Sequence, residues 1–261
     1  MVEFYLGTMG FSYKDWKGVF YPPNVPAEDY LAYYSRFFNS VEMDTTFYAV
    51  PRKASVQGWA ASVPDNFSFA VKTPQSITHQ MGLANTQQFM DEFIGVMRLL
   101  GDKLGVILIQ LPPSFSIDKL PTFTTFINQL PADVHFAVEF RHRSWYTGLI
   151  ADLLSAHHIC WAATEFGNLP HQITPTSEFL YIRWLGKRAA FRRYNLEQID
   201  QGPRLSWWRE QITSNLQNAR MVFGYINNDY SGFAPATCNR IKTMFDLPTS
   251  TFQQPEQGRL F

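Results

Sequence analysis

Three carboxylates, three cations and three amides each close a short apolar run: Glu42, Asp44 and Glu139; Lys72, Arg141 and Arg183; Gln110, Asn227 and Asn228. Carboxylates of this kind serve as general acids, general bases or metal ligands, and the cations beside them hold an anion. The planar fork of arginine suits phosphate or carboxylate, whereas Lys72 is a point charge or, with a lowered pKa, a base. The pattern casts Glu42, Glu139, Lys72 and His142 as catalytic. It casts Asp44, His79, Gln110, Arg141, Arg183, Asn227, Trp16 and Tyr13 as substrate-binding. Acids and bases in near balance have a second reading, in which they neutralise one another and the cluster is structural.

The histidines narrow the chemistry. No HxH pair occurs, so the multi-histidine metal centre of a metal-dependent hydrolase is not signalled. His79 and His142 follow the third and fifth apolar runs, where with Glu42, Asp44 and Glu139 they could assemble a divalent-metal site. No ligand set is assigned, and the cofactor stays open. His135, His157 and His158 stand at the starts of runs and are read as non-functional.

For these groups to meet, the runs that carry them must converge. Eight β-patterned runs, at 4–7, 41–46, 67–72, 106–111, 136–141, 158–164, 179–184 and 221–228, are mostly separated by helical patterns. Tyr30, Leu31, Tyr34, Phe37 and Phe38 show the helical spacing, and 52–63, 86–101, 117–129, 144–157, 205–217 and 235–245 read as the other helices. Strands alternating with helices imply parallel βαβ crossovers. Eight such units in 261 residues point to a single α/β domain, a (β/α)₈ TIM-like barrel, whose site lies at the C-terminal strand ends. The sixth unit has no helical pattern across 167–177, which predicts a long loop over the barrel mouth. The barrel is expected over 1–250, and 251–261 as a flexible tail.

Composition excludes several classes. Basic and acidic residues balance at 22 each, so wholesale coating of nucleic acid or an anionic membrane is not signalled. No window approaches eighteen continuous apolar residues, the two cysteines form no CxxC pair, and a soluble cytoplasmic protein is expected. The GxSxG, Walker and GxGxxG elements are absent, which disfavours triad hydrolases, P-loop NTPases and dinucleotide-binding folds. Aromatics make up 16% of the chain, and Tyr13, Trp16, Phe47, Tyr48, Trp145 and Tyr146 follow strand ends, where rings beside cations stack on sugars or bases.

Specific stretches also carry a resemblance. They are Gly7-Thr-Met-Gly-Phe-Ser-Tyr with Trp16-Lys-Gly-Val-Phe-Tyr-Pro; Val41-Glu-Met-Asp-Thr-Thr-Phe-Tyr; Phe69-Ala-Val-Lys-Thr with Thr78-His; Gln110-Leu-Pro-Pro-Ser-Phe; Ala137-Val-Glu-Phe-Arg-His-Arg-Ser-Trp; Tyr181-Ile-Arg-Trp-Leu-Gly; and Tyr225-Ile-Asn-Asn-Asp. Over nearly its whole length the chain resembles the YecE-like family, domain of unknown function 72. The resemblance implies a TIM-like barrel and supplies no established reaction. Asp44 stands where many members carry Asn, which makes Glu42 the preferred carboxylate. Arg183-Trp-Leu-Gly replaces a more usual Arg-x-His-Gly, removing one proton-transfer or metal-binding group.

The last residues, Gln257-Gly-Arg-Leu-Phe, are similar to the peptide by which bacterial repair and replication proteins dock on the sliding clamp, with Gln257, Leu260 and Phe261 as anchors. The function expected from all this is a hydrolase or lyase acting on a phosphorylated or otherwise anionic substrate, by acid–base or metal-assisted chemistry. The competing expectation is a non-catalytic module binding a metabolite or nucleic acid, associated with repair through the tail.

Overall fold

The computed structural model describes residues 2–249 and 251–252. Strands and helices alternate: β1 (Glu3–Thr8), α1 (Tyr30–Tyr34), β2 (Ser40–Met43), α2 (Lys53–Ala61), β3 (Ser68–Lys72), α3 (Gln87–Met97), β4 (Leu104–Gln110), α4 (Leu120–Ile127), β5 (Phe136–Glu139), α5 (Gly148–Ala156), β6 (Cys160–Trp161), β7 (Ala163–Glu165), β8 (Phe179–Trp184), α6 (Gly202–Asn215), β9 (Met221–Ile226) and α7 (Ala234–Met244). Every strand pair is parallel, so the fold is α/β with parallel sheets.

The strands form two sheets, in the orders β1-β9-β8-β7 and β2-β3-β4-β5-β6. The run expected over 158–164 is broken at Ala162, whose N–H donates to Val138 of β5 at 2.9 Å before β7 crosses to β8. At the other junction Met9 bridges Glu42, and Gly10 N–H donates to Glu42 O at 2.8 Å. Side chains alternate along each strand and supply two apolar clusters. One packs Val41, Phe69, Ile107, Val138, Ile182 and Val222 against Phe93, Phe126, Ile150 and Trp208 of the helices. The second gathers Met9, Ala70, Leu108, Ala137, Tyr181 and Tyr225 from both sheets, and a 2.6 Å hydrogen bond joins the Tyr225 and Ser40 hydroxyls across them.

Several boundaries differ from the sequence pattern for visible reasons. β2 stops at Met43 because the Thr46 hydroxyl folds back to the Met43 and Lys72 carbonyls at 2.8 and 2.7 Å, forming a 3₁₀ turn over Asp44–Phe47. Residues 166–178 carry no helix, as the pattern predicted. A second irregular stretch, 185–201, was not foreseen; Tyr194 pins it, its hydroxyl donating to Asp229 and its N–H to Asp15. Phe252, within the 251–261 segment expected as a tail, packs its ring against Phe20, Phe37 and Phe233. The clamp-like residues Gln257, Leu260 and Phe261 lie outside the described residues.

Gly7 marks the closest approach of β1 to β2: a Cβ there would stand 1.9 Å from the Ser40 carbonyl oxygen. Gly7→Ala is therefore expected to lower unfolding stability by about 1–3 kcal/mol or more, as overpacking does. Urea denaturation measures this; an unchanged midpoint would mean the strands are free to separate there.

Candidate functional site

Arg183 on β8 lies in the space between the sheets. Its Nε and Nη2 donate to both oxygens of Glu42 on β2, at 2.9 and 2.6 Å, and its Nη1 donates to Glu139 Oε2 on β5 at 2.5 Å. The Tyr181 hydroxyl donates to Glu42 Oε2 at 2.6 Å, and Arg141 Nε donates to Glu139 Oε1. Glu42 and Glu139 are fully buried and Arg183 nearly so. Burial alone would raise the Glu139 carboxyl, but Arg141 and Arg183 overcome it and hold the group down at about 2. Both acids are thus occupied by partners.

Asp44 and Lys72 differ. Asp44 sits on the 3₁₀ turn rather than on β2, with 36% of its side chain exposed, and its nearest cation is Arg183 Nη2 at 3.9 Å. Burial and the charge of Glu42, opposed by Arg183 and Lys72, push its carboxyl up to about 6. Lys72 ends β3, only 9% exposed, its Nζ 3.9 Å above the Phe47 ring. Burial, then Arg183, lower its pKa, while Asp44 and both glutamates oppose the shift. Asp44 also lines a cavity of about 320 Å³ with Gly10, Phe11, Tyr13, Met43 and Trp59. A larger cavity, about 500 Å³, lies at the opposite strand ends beside His135, His157 and His158, away from the charged cluster.

The other expected residues divide. Gln110, nearly buried, donates to the Leu111 carbonyl at 2.7 Å. Half-buried His79 rests edge-on to Phe47 with Nδ1 2.8 Å from the Thr78 hydroxyl; burial, Lys72 and Arg141 lower its pKa. Arg141 stacks over Phe166 at 4.0 Å. His142 instead caps the turn Arg143–Trp145, its Nδ1 accepting from Ser144 N. Asn227 lies past the end of β9 and caps the turn Asn228–Tyr230. Trp16 is fully buried, bonded through Nε1 to Asn228 Oδ1 at 3.2 Å, and Tyr13 donates to the Met9 carbonyl at 2.5 Å. Sequence reasoning missed Tyr181 and Phe166. The alternation that placed Arg183 also puts Tyr181 on the inner face, whereas nothing in the sequence marked Phe166.

Among the described residues no three His, Cys, Asp or Glu side chains converge as metal ligands. The two buried glutamates already accept from guanidinium and phenol donors, and His142 faces a turn. The donor set does not fit a divalent ion.

The sequence matches the family described as "Protein of unknown function DUF72" over residues 5–259. The chain belongs to this family. The UPF0759 protein YecE of Escherichia coli K12 is 35% identical over 116 residues, 44% of this chain and 43% of the relative, so that alignment spans less than half of YecE. The UPF0759 protein YunF of Bacillus subtilis is 25% identical over 98% of this chain and 99% of its own length. Among solved structures, a DUF72 family protein from Thermotoga maritima superposes with a TM-score of 0.77 at 28% identity, covering 94% of this chain and 99% of that one. One from Enterococcus faecalis gives 0.75 at 21% identity, covering 95% and 99%, and speaks to fold alone. None of these DUF72 names carries a reaction. No helix among the described residues is long and apolar enough to cross a membrane.

The two perturbed carboxyls act on stability with opposite signs. Glu139 is lower in the folded state (about 2) than its ordinary 4.5, so its contribution is complete above about pH 4.5 and lost as pH falls toward 2. Asp44 is raised from 3.8 to about 6, so its contribution is complete below about pH 4 and lost as pH rises through 6. Unfolding free energies between pH 2 and 7 should fall by about 3 kcal/mol on the acid side through Glu139. Glu139→Gln should flatten that limb, and Asp44→Asn the decline between pH 4 and 6. Parallel profiles in all three proteins would refute the assignment.

Proposed function

We propose that the two sheets close into one (β/α)₈ barrel, and that this DUF72 protein is an enzyme, a hydrolase or lyase acting on a small anionic substrate at the C-terminal strand ends. Closure is supported by the Met9–Glu42 bridge, by the passage of the chain from β6 to β7, and by hydrogen bonds from β8 and β9 to β2. Parallel barrels carry their chemistry at this end.

One observation carries the enzymatic reading: beside a neutralised lattice, a partly exposed acid has no cation nearer than Arg183 at 3.9 Å, and an amine rests on the Phe47 ring with no acceptor among the described residues. Asp44 has a carboxyl pushed up to about 6 and partial exposure, which suits a group that gives and takes protons near neutrality. Lys72 supplies a cation or a base, and Arg141, with only Nε engaged by Glu139, offers its terminal nitrogens to an anion. Glu42 and Glu139, first read as catalytic, here hold Arg183 and Arg141 in place. A screen of phosphoesters, glycosides, abasic DNA and oxo-acid or sugar-phosphate lyase substrates tests the assignment. Asp44→Asn and Lys72→Met should each cut kcat by about 10²-fold or more without lowering the melting temperature. Wild-type turnover in both variants would remove these residues from catalysis.

A second reading is favoured by the loop 185–201. Lys187, Arg188, Arg192 and Arg193 are exposed there and form no ion pair among the described residues, in a chain of zero net charge. Four cations within seven residues suit a nucleic-acid phosphate backbone. Fluorescence anisotropy with a single-stranded oligonucleotide should show binding that weakens with salt and disappears when all four are changed to Glu. Salt-independent or unchanged binding would refute this reading.

A further inference from the structure

Lys103 and Lys242 show how this fold treats a half-buried ammonium group. Lys103 Nζ donates to the Ala60 and Val63 carbonyls at 2.8 and 2.9 Å, and Lys242 Nζ to the Phe37 carbonyl at 2.9 Å. Lys72 is more deeply buried than either, yet among the described residues its Nζ has no hydrogen-bond acceptor and no carboxylate oxygen within 4.0 Å. Its one direct polar contact is the face of Phe47. A ring face attracts a cation but satisfies none of the three N–H donors, and Arg183 adds a like charge nearby. Such a seat penalises the ammonium ion and tolerates the neutral amine.

The amine is also held in place. The Thr46 hydroxyl accepts from Lys72 N–H at 3.0 Å and donates to Lys72 O at 2.7 Å, fixing both backbone groups at the end of β3. Asp44 leads the turn that carries Thr46 and Phe47, so one short segment positions amine, ring and acid together. A fixed, desolvated amine beside an acid that titrates near neutrality is the pair that imine chemistry requires.

We propose that Lys72 is a nucleophilic amine that forms an imine with a small carbonyl compound bearing a phosphate or carboxylate group. The proposal rests on the reading that this rim is the active site, and it names the substrate class. The neutral Lys72 amine adds to the carbonyl carbon, and its proton passes to the carbonyl oxygen to give a carbinolamine. Asp44, protonated, gives its proton to the departing hydroxyl; the C–O bond breaks, water leaves and the iminium remains. The Asp44 carboxylate then takes a proton from the substrate carbon next to the iminium, breaking that C–H bond. The electron pair moves into the iminium as an enamine, and protonation and hydrolysis return the amine. No oxidant or reductant is needed. Arg141 holds the anionic end of the substrate through the nitrogens that Glu139 leaves free.

Borohydride trapping tests this on the full chain, with dihydroxyacetone phosphate and pyruvate as separate probes and hydroxyacetone as the uncharged comparison. Intact mass and peptide mapping should show one adduct per chain at Lys72 with at least one anionic probe, formed about tenfold or more faster than with hydroxyacetone. Lys72→Arg should abolish that adduct. Asp44→Asn should slow it by about tenfold or more while leaving it at Lys72. The location of the adduct in the wild-type chain decides the matter even if Lys72→Arg fails to fold. Labelling spread evenly over the seven other lysines, or a Lys72 untouched by every probe, would overturn the proposal. Turnover of a phosphoester that depends on Asp44 but leaves no trapped Lys72 would keep the rim as the active site and overturn imine formation alone.

Discussion

A guanidinium shared between two buried carboxylates ties the interior of this protein together. Arg183 comes from β8, Glu42 from β2 and Glu139 from β5, so the three charges span both sheets. An ion moved out of water costs several kcal/mol even after relaxation, and none of the three is tolerable there alone. Each glutamate therefore accepts from two residues: Glu42 from Arg183 and Tyr181, Glu139 from Arg183 and Arg141. Losing any member would leave an uncompensated charge, a defect of about 3–5 kcal/mol. Replacing the whole set by apolar residues would cost far less, so stability alone does not explain why the chain builds it. What the lattice provides is position, with the side-chain ends of three strands locked at one level.

That locking sets up the unequal fates of the remaining groups. Glu42 and Glu139 draw the field of Arg183 and Arg141 onto themselves, so Asp44, 3.9 Å from Arg183, receives too little of it to offset burial and the repulsion of Glu42. At Lys72, after burial, Arg183 is a stronger influence than any single carboxylate. Burial first, and then Glu42 for the acid and Arg183 for the amine, move an acid up and an amine down at the edge of the ion pairs. Environments that push neighbouring groups toward neutral pH from opposite sides are how proton-transfer pairs arise.

The strands were legible because an apolar run ended by a charge is hard to read otherwise, and seven of the eight runs appear within a few residues of where the pattern put them. The convergence of Glu42, Glu139 and Arg183 followed from the fold class alone. The roles within it did not. Glu42 and Asp44 are two residues apart and look interchangeable in sequence; the Thr46 hydroxyl separates them by ending β2 at Met43. His142 and Asn227 carried chemistry-bearing side chains at the right place in the chain, but each is engaged by a backbone N–H two residues on. Trp16 follows β1 as a ligand-stacking ring would, yet it is enclosed by Tyr13, Phe20, Tyr21 and Phe233. These outcomes depend on hydrogen bonds a few residues long, which periodicity does not encode.

The carboxylate at position 44 takes on meaning in this geometry. An Asn at that position would keep the shape of the side chain while removing the carboxyl that burial and Glu42 push up to about 6. Asp44→Asn would leave the same Arg183 lattice and the same lysine seat, but without that carboxyl beside them. The ion-pair lattice and the Asp44–Lys72 pair are therefore separable: the first needs Glu42, Glu139 and Arg183, whereas the second needs the carboxylate at position 44.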